Sequence, residues 1–416
     1  MHSGTAKKLP LDGVRAINFC WYWVGATITH ILADMGAEVI KVDSRARLEV
    51  LKSIPPYLGG ITDPDRSLWP HNISRNNLGI TANLDTQKGR DLIKELVREV
   101  DIVAENWTPG TMRKLGLDYQ ALRRIKPDLI MISPSAAGQW GPLHRINTFG
   151  SVLSCLAGID TIQGYEGERP MPFGMAITDP AAGLVGAYAV LAALRHRAIT
   201  GEGRYIDFSQ WEAMTTMLGA PILDYQWNGR VPAPMGNRDP LWVPHNVYPS
   251  KPSPGAPQGA GGSWVCIAVY SDDEWEGLCR ALGDPAWRRE PRFADKFRRK
   301  RHEEDLDDLI AQWTRQRTHY DAAAALQKEG VPAFPALSAR DLFTDPHYRA
   351  RNDWVEIEHP LGRETIYGIH WKFSDTPGAI RLPCPLIGQH NDRIFGELLG
   401  HPTDDIEALK AAKAIY

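Results

Sequence analysis

Between Val14 and Asp43 the chain runs through a β-rich stretch (Val14–Phe19), an amphipathic helical stretch (about Ala26–Met35) that Gly36 can end, and a second β-rich stretch (Glu38–Asp43). A strand, helix and strand at this spacing form a βαβ unit, which crosses over right-handed into a parallel sheet. The rhythm recurs with a helix near Thr86–Val100, a strand at Ile102–Ala104, a helix at Tyr119–Ile125 and a strand at Leu129–Ser133. The predicted fold class is therefore α/β, with a Rossmann-like large domain. Open parallel sheets bind ligands at the carboxyl ends of their strands. The loops Cys20–Gly25, Asp43–Arg47, Asn106–Gly110 and Ser133–Gly138 are thus expected to line one crevice.

Asp43, at the end of the second strand, invites a dinucleotide reading in which it would hold a ribose. The first turn, Cys20-Trp-Tyr-Trp-Val-Gly25, argues against it. It carries one glycine, and tryptophans stand where a pyrophosphate needs close approach to the backbone.

A second organising stretch is Ile177-Thr-Asp-Pro followed by an almost wholly apolar run to Leu194. Pro180 suits the first helical position, which puts Asp179 at the N-cap of a helix expected to be buried on all sides. Asp179 then has two readings. It is a helix cap, or it is a nucleophile kept ionised by the helix dipole and its free N–H groups. Spacing leaves both open.

Composition narrows the function classes. The 416 residues carry a formal net charge of -3 with 43% hydrophobic and 23% charged residues, which fits a globular enzyme and not a general nucleic-acid binder. Five cysteines lie far apart with no C-x-x-C pair, so neither a disulfide framework nor a zinc site is expected, and no metal ligand set is assigned. No run approaches the ~18 apolar residues of a membrane span, and no signal-like segment opens the chain, so a cytoplasmic protein is expected. Fourteen tryptophans are read mainly as core filling, with Trp21, Trp23 and Trp107 placed near the expected crevice.

The domain reading puts the large domain at 1–220, an irregular proline- and glycine-rich linker with a glycine loop at 221–262, a small α+β domain at 263–375, and helices returning to the large domain at 376–416. The glycines Gly259, Gly261 and Gly262 read either as a surface linker or as a mobile loop.

The pieces Gly174–Gly183, Leu191–Arg197 and Thr200–Gln210 resemble the nucleophile region of the family III (CaiB/BaiF-type) coenzyme A transferases. The resemblance runs the length of the chain in order, through Leu11–Arg15, Ala33–Asp43, Glu105–Gly116, Gly236–Pro240, Gly330–Ala333 and Gly388–Asn391. In its details around Trp21–Trp23 and Gly201–Gln210 it looks most like the benzylsuccinate branch. It implies an interlocked dimer and a transfer of CoA through an Asp179 anhydride and an Asp179–CoA thioester. CoA thioesters would be the substrates, with no permanently bound cofactor. Carried over position by position, contacts to CoA fall on Trp23, Val24, Arg45, Arg75, Asn76, Asn106, Lys114, Asn147 and Phe149, and the glycine loop on Gly259, Gly261 and Gly262. Where the family often has Asn-Arg-Asn-Lys-Arg, this chain has Ser74-Arg-Asn-Asn-Leu78, which removes two cations. Trp23 and Phe149 also replace family residues and reshape the acyl pocket.

The related racemases need a histidine in the stretch 145–150. None stands there, and His144 falls before it, so racemisation is disfavoured. The expected function is CoA transfer from an acyl-CoA, succinyl-CoA foremost, to a dicarboxylic or aryl-substituted acid. The alternatives are CoA movement within one diacid, or a partner subunit of a heteromer with little activity alone. The resemblance implies a homodimer or a pairing with a homologous subunit, and no nucleic-acid or membrane partner.

Overall fold

The computed structural model describes residues 8–252 and 262–416. Contacts divide the chain into two compact units, Thr161–Met171 with Pro232–Pro346 forming the smaller one.

The larger unit is built on six parallel strands: β1 (Arg15–Asn18), β2 (Glu38–Asp43), β3 (Asn77–Thr81), β4 (Ile102–Ala104), β5 (Ile130–Ser135) and β6 (Tyr205–Ser209). They run in the order β3-β2-β1-β4-β5-β6, with Ala16 opposite Val39 on one side and Ile102 on the other. Both sheet faces are covered, which is why these strands are nearly continuous apolar runs. Ile17, Ile40, Ile80 and Val103 contribute to one core with Leu92, Ile93 and Leu96 of α3 (Gln87–Val97). Thr86 caps that helix by accepting from the Gly89 N–H at 3.0 Å. Ala16, Val39 and Ile130 face the other core, formed with α1 (Trp23–Asp34) and α7 (Thr178–Thr200). These two helices meet at small residues. A Cβ on Gly183 would stand 2.6 Å from the Thr27 Cβ, and one on Gly186 would stand 2.6 Å from the Ile28 Cδ1.

Helix α7 departs from expectation in two ways. It begins at Thr178 with Ile177 already in a helical conformation, so Asp179 lies inside the first turn and makes no cap bond. It is also buried along one side only. Ala182, Gly183, Gly186, Ala187 and Val190 face inward, whereas Leu184, Tyr188, Leu191 and Ile199 are exposed. The apolar composition that suggested burial all round comes from two different faces.

The expected linker 221–262 contains regular structure: most of α9 (Gly219–Asn228) and strand β7 (His245–Ser250). β7 pairs antiparallel with β8 (Ser263–Ala268), which pairs with β9 (Ala333–Pro335). In the smaller unit this sheet packs Tyr248, Val265 and Ile267 with Trp275, Leu278, Leu306, Ile310 and Leu326 of the surrounding helices.

The chain re-enters the larger unit at His347, so the hairpin β10 (Trp354–His359) and β11 (Gly362–Tyr367), read as part of the small domain, belongs to the larger unit. Glu364 bonds the His71 Nδ1 at 2.5 Å, and Asn72 Oδ1 accepts from the Tyr367 N–H. Among the described residues no helix is long and apolar enough to cross a membrane.

Candidate active site

A cavity of about 440 Å³ opens at the carboxyl ends of the parallel strands. All four loops expected there contribute, through Trp21, Ser44, Arg47, Asn106, Thr108 and Ala136 among others. A fifth wall, Ala82–Asp85, follows β3. Trp21, Trp23 and Trp107 all line the space, so here the crevice reading of these tryptophans prevails over core filling alone. Trp107 packs at 5.5 Å between ring centroids against both Phe19 and Trp21, and Trp23 packs edge-on against Trp69 at 5.4 Å.

Asp179 lies in this wall. Pro180 is tolerated beside it because first-turn residues need no N–H donor. The carboxylate has no ion-pair partner among the described residues. Burial alone acts on it and pushes its pKa up to about 7. The helix dipole was expected to hold it fully ionised, but the dipole's worth at a terminus is typically 0.3–1 kcal/mol, and desolvation outweighs it.

Gly150 makes the seat for this carboxylate. A Cβ there would stand 2.6 Å from Asp179 Oδ2, a distance no real Cβ adopts. The Thr178 hydroxyl donates to the Gly150 carbonyl at 2.6 Å, which pins the two segments together. Gly150→Ala is therefore expected to fold normally but to lose roughly a hundredfold in turnover, since a shift of about 1 Å at a reacting group costs that much. Steady-state rates and melting curves on the same preparation check both halves.

The other predicted contacts separate into two sets. Trp23, Asn106, Asn147 and Phe149 line the cavity. Asn106 spends its side chain on the β1 loop, accepting from the Trp21 N–H at 2.8 Å and donating to the Tyr22 carbonyl at 3.1 Å. Val24 is buried within α1, while Arg45 and Lys114 are exposed and lie off the lining. Arg75 and Asn76 are not open to a ligand at all. Arg75 is buried against Asp34, reaching it at 2.5 Å and also donating to the Tyr367 carbonyl. Asn76 donates to the same Asp34 at 2.7 Å. Gly262 precedes β8 in the smaller unit, with φ +81°. Gly259 and Gly261 lie outside the described residues.

Several lining residues were not singled out as site residues, although Arg47 and Ser135 fall in loops expected at the crevice and Gln210 ends a motif stretch. Arg47 is the single lysine or arginine on the described lining and lies over the Trp21 ring at 5.1 Å. Its neighbour Arg45 drew the assignment because the motif fixed the loop but not which side chain turns inward. Ser135 and Gln210 lie on the wall as well, and so does His144, whose Nδ1 donates to the Gly141 carbonyl at 2.7 Å. Asp43 is engaged by Lys52 at 2.9 Å, so it is not free to hold a ribose.

His71, His359 and Glu364 are metal-type ligands that come together in the larger unit. They are already bonded within the protein: His71 to Glu364, and the His359 Nδ1 to the Leu361 N–H at 3.1 Å. This grouping docks the β10–β11 hairpin.

The comparisons with known proteins agree with this geometry. The sequence model of CoA-transferase family III matches residues 11–391. The chain is 35% identical to the succinyl-CoA–D-citramalate CoA-transferase of Chloroflexus aurantiacus, covering 98% of each. It is 30% identical to the succinate–glutarate CoA-transferase of Agrobacterium fabrum, covering 94% of this chain and 96% of the relative. A solved CaiB/BaiF family protein from Brucella suis superposes with a TM-score of 0.85 at 30% identity, over 94% of this chain and all of the other. These relatives do not support the likeness to the benzylsuccinate branch, since their names carry aliphatic diacids. A match over almost the whole chain, joined to a parallel-sheet cavity with a part-buried carboxylate in its wall, makes this protein a member of CoA-transferase family III.

Proposed function

We propose that this enzyme moves CoA from succinyl-CoA to a dicarboxylic acid, with Asp179 as the nucleophile. The observation that carries the reading is a cavity-lining carboxylate that is largely desolvated, has no cation beside it and sits against a glycine. A carboxylate stripped of water and of counter-charge is a stronger nucleophile than one in solution.

An Asp179 oxygen attacks the thioester carbonyl. The C–S bond breaks and CoA leaves as thiolate, giving a mixed anhydride. The thiolate then attacks the Asp179 carbonyl and succinate departs. The acceptor's carboxylate attacks the resulting enzyme–CoA thioester and again releases thiolate. In the last step the thiolate attacks the acceptor's acyl carbon and Asp179 is regenerated. Every step keeps the thiolate inside the cavity, where positioning supplies most of the rate. Arg47 takes the phosphate-binding role that the motif assigned to Arg45, as the cation at the cavity wall.

The exposed apolar side of α7, and α9 with its exposed Ile222, Leu223 and Trp227, are covered in this reading by a second copy of the chain. Exposed apolar side chains in such numbers mark association sites.

The pH dependence follows from Asp179. Its pKa is about 7 and only the ionised form attacks, so kcat/KM for succinyl-CoA is expected to rise tenfold per pH unit below about 7 and to level off above it. A flat profile between pH 5.5 and 8 contradicts the assignment. Mass-spectrometric detection of new CoA thioesters, with succinyl-CoA and a panel of diacids at pH 8, tests the reaction itself. No new thioester with any diacid would sink it.

A further inference from the structure

Four charged side chains are buried next to one wall of the cavity. Lys41, Asp43, Glu49 and Lys52 are each at most 4% exposed. They form two ion pairs, Lys41 with Glu49 and Lys52 with Asp43 at 2.9 Å. The pairs lie close enough to act on one another, since Asp43 and Lys52 both exert a Coulombic effect on Glu49. Replacing a buried ion pair by apolar side chains of similar volume commonly leaves stability unchanged or raises it. Stability is therefore a poor reason for two such pairs, and what they hold in place is the better one.

They hold the two feet of a loop. β2 ends at Asp43, a short helical turn (Val50–Lys52) begins just after Glu49, and residues 45–48 between them are exposed. That exposed span carries Arg47, the cation of the described lining. Each foot is thus a buried carboxylate held by a buried lysine. Lys41 reaches further, because its ammonium also donates to the Cys20 carbonyl. Cys20 precedes Trp21, and the Arg47 guanidinium lies over the Trp21 ring at 5.1 Å. One ammonium therefore ties the loop that carries the cation to the loop that carries the ring beneath it. Lys41, Glu49 and Lys52 do not line the cavity, so they act on a ligand only through the residues they hold.

An exposed arginine on a loop free to move binds a phosphate weakly, because ordering the loop and the side chain opposes the contact. Anchored feet remove the loop's share of that cost. We propose that Lys41–Glu49 and Lys52–Asp43 are positioning pairs for the CoA donor, holding Arg47 over Trp21 where a phosphate of the thioester is taken. The inference rests on the proposed CoA transfer and on the part given there to Arg47. Both lysines are matched by carboxylates and neither reaches the lining, so the phosphate draws its charge from Arg47 and its geometry from the pairs.

The test is a mutant cycle read as the affinity for free CoA, measured by titration calorimetry without any turnover. It compares wild type, Arg47→Met, the double variant Lys41→Met with Glu49→Leu, and the triple variant. Arg47→Met is expected to weaken CoA binding about tenfold in the wild-type background, the worth of a charged hydrogen bond. The double variant is expected to melt close to wild type, since no charge is orphaned, yet to bind CoA about tenfold more weakly. Adding Arg47→Met to it should then cost less than about twofold, because residues that act through one another are not additive. A network that only supports the fold gives a different result. Its double variant, once stable, binds CoA as wild type does, or the two losses multiply in the triple variant. Either result overturns the proposal, and so does an Arg47→Met that binds CoA as well as wild type. The same cycle with Asp43→Asn and Lys52→Met reads the second foot and gives the answer if the first pair of changes prevents folding. A wild type that binds no CoA overturns this inference together with the proposed reaction, whereas CoA binding that the double variant retains in full overturns this inference alone.

Discussion

Asp179→Asn is expected to remove CoA transfer and at the same time to stabilise the protein, and the stabilisation is expected to depend on pH. The amide keeps the shape of the carboxylate but offers no nucleophilic anion, so turnover should fall by roughly a thousandfold or more, as it does when a covalent nucleophile is lost. The stability effect comes from desolvation. The folded-state pKa is raised to about 7, against an unfolded value of about 3.9. The folded chain therefore binds this proton more tightly than the unfolded chain. Below about pH 4 the group is neutral in both states and costs nothing. As pH rises from about 4 to 7 the unfolded chain ionises freely while the folded chain resists, and the penalty grows. Above about 7 it is constant, on the order of 2–4 kcal/mol. The asparagine variant carries no such penalty, so its advantage should be present at pH 8 and absent at pH 4. Denaturant unfolding of both proteins at the two pH values measures this. An equal difference at both pH values would show that the carboxylate is not buried as described, and transfer persisting at pH 8 would remove Asp179 from the mechanism.

What the sequence made legible, and what it hid, divides by the range of the interactions involved. β1, α1 and β2 were readable because their apolar periodicity is local. β3 was not read, because Asn77, Gly79 and Thr81 interrupt the apolar pattern. Two of them are met by residues more than 300 positions away, with Gly79 N–H donating to His390 and Thr81 N–H to Asn391. Without β3, the wall at Ala82–Asp85 could not be foreseen. Asp179 was found through its surrounding motif, yet the direction of its pKa was misjudged because local sequence exposes the helix dipole and not the depth of burial. Ser135 and Gln210 fall within a loop and a motif that the sequence does mark, yet nothing local distinguished them from their neighbours as wall residues, which only packing reveals.

Arg75 is the sharpest case of a motif pointing to one role and packing to another. By likeness it contacts a CoA phosphate. In the fold its guanidinium lies between Asp34, which it reaches at 2.5 Å, and the Tyr367 carbonyl, with the Tyr367 ring beneath it at 4.8 Å. Both charged partners are about 1% exposed. Removing one member of a buried pair leaves the other ionised without compensation, which costs about 3–5 kcal/mol. Arg75→Met is therefore expected to lower the melting temperature by about 3–6 °C for a chain of this length, while the protein that remains folded keeps its KM for succinyl-CoA. Adding Asp34→Asn should recover much of the loss, because the orphaned charge is then gone. A phosphate contact behaves in the opposite way, with KM rising several-fold, stability unchanged and no rescue from Asp34. The two outcomes share no intermediate reading, since one acts through the folded state's internal charge balance and the other through an affinity that Asp34 cannot influence.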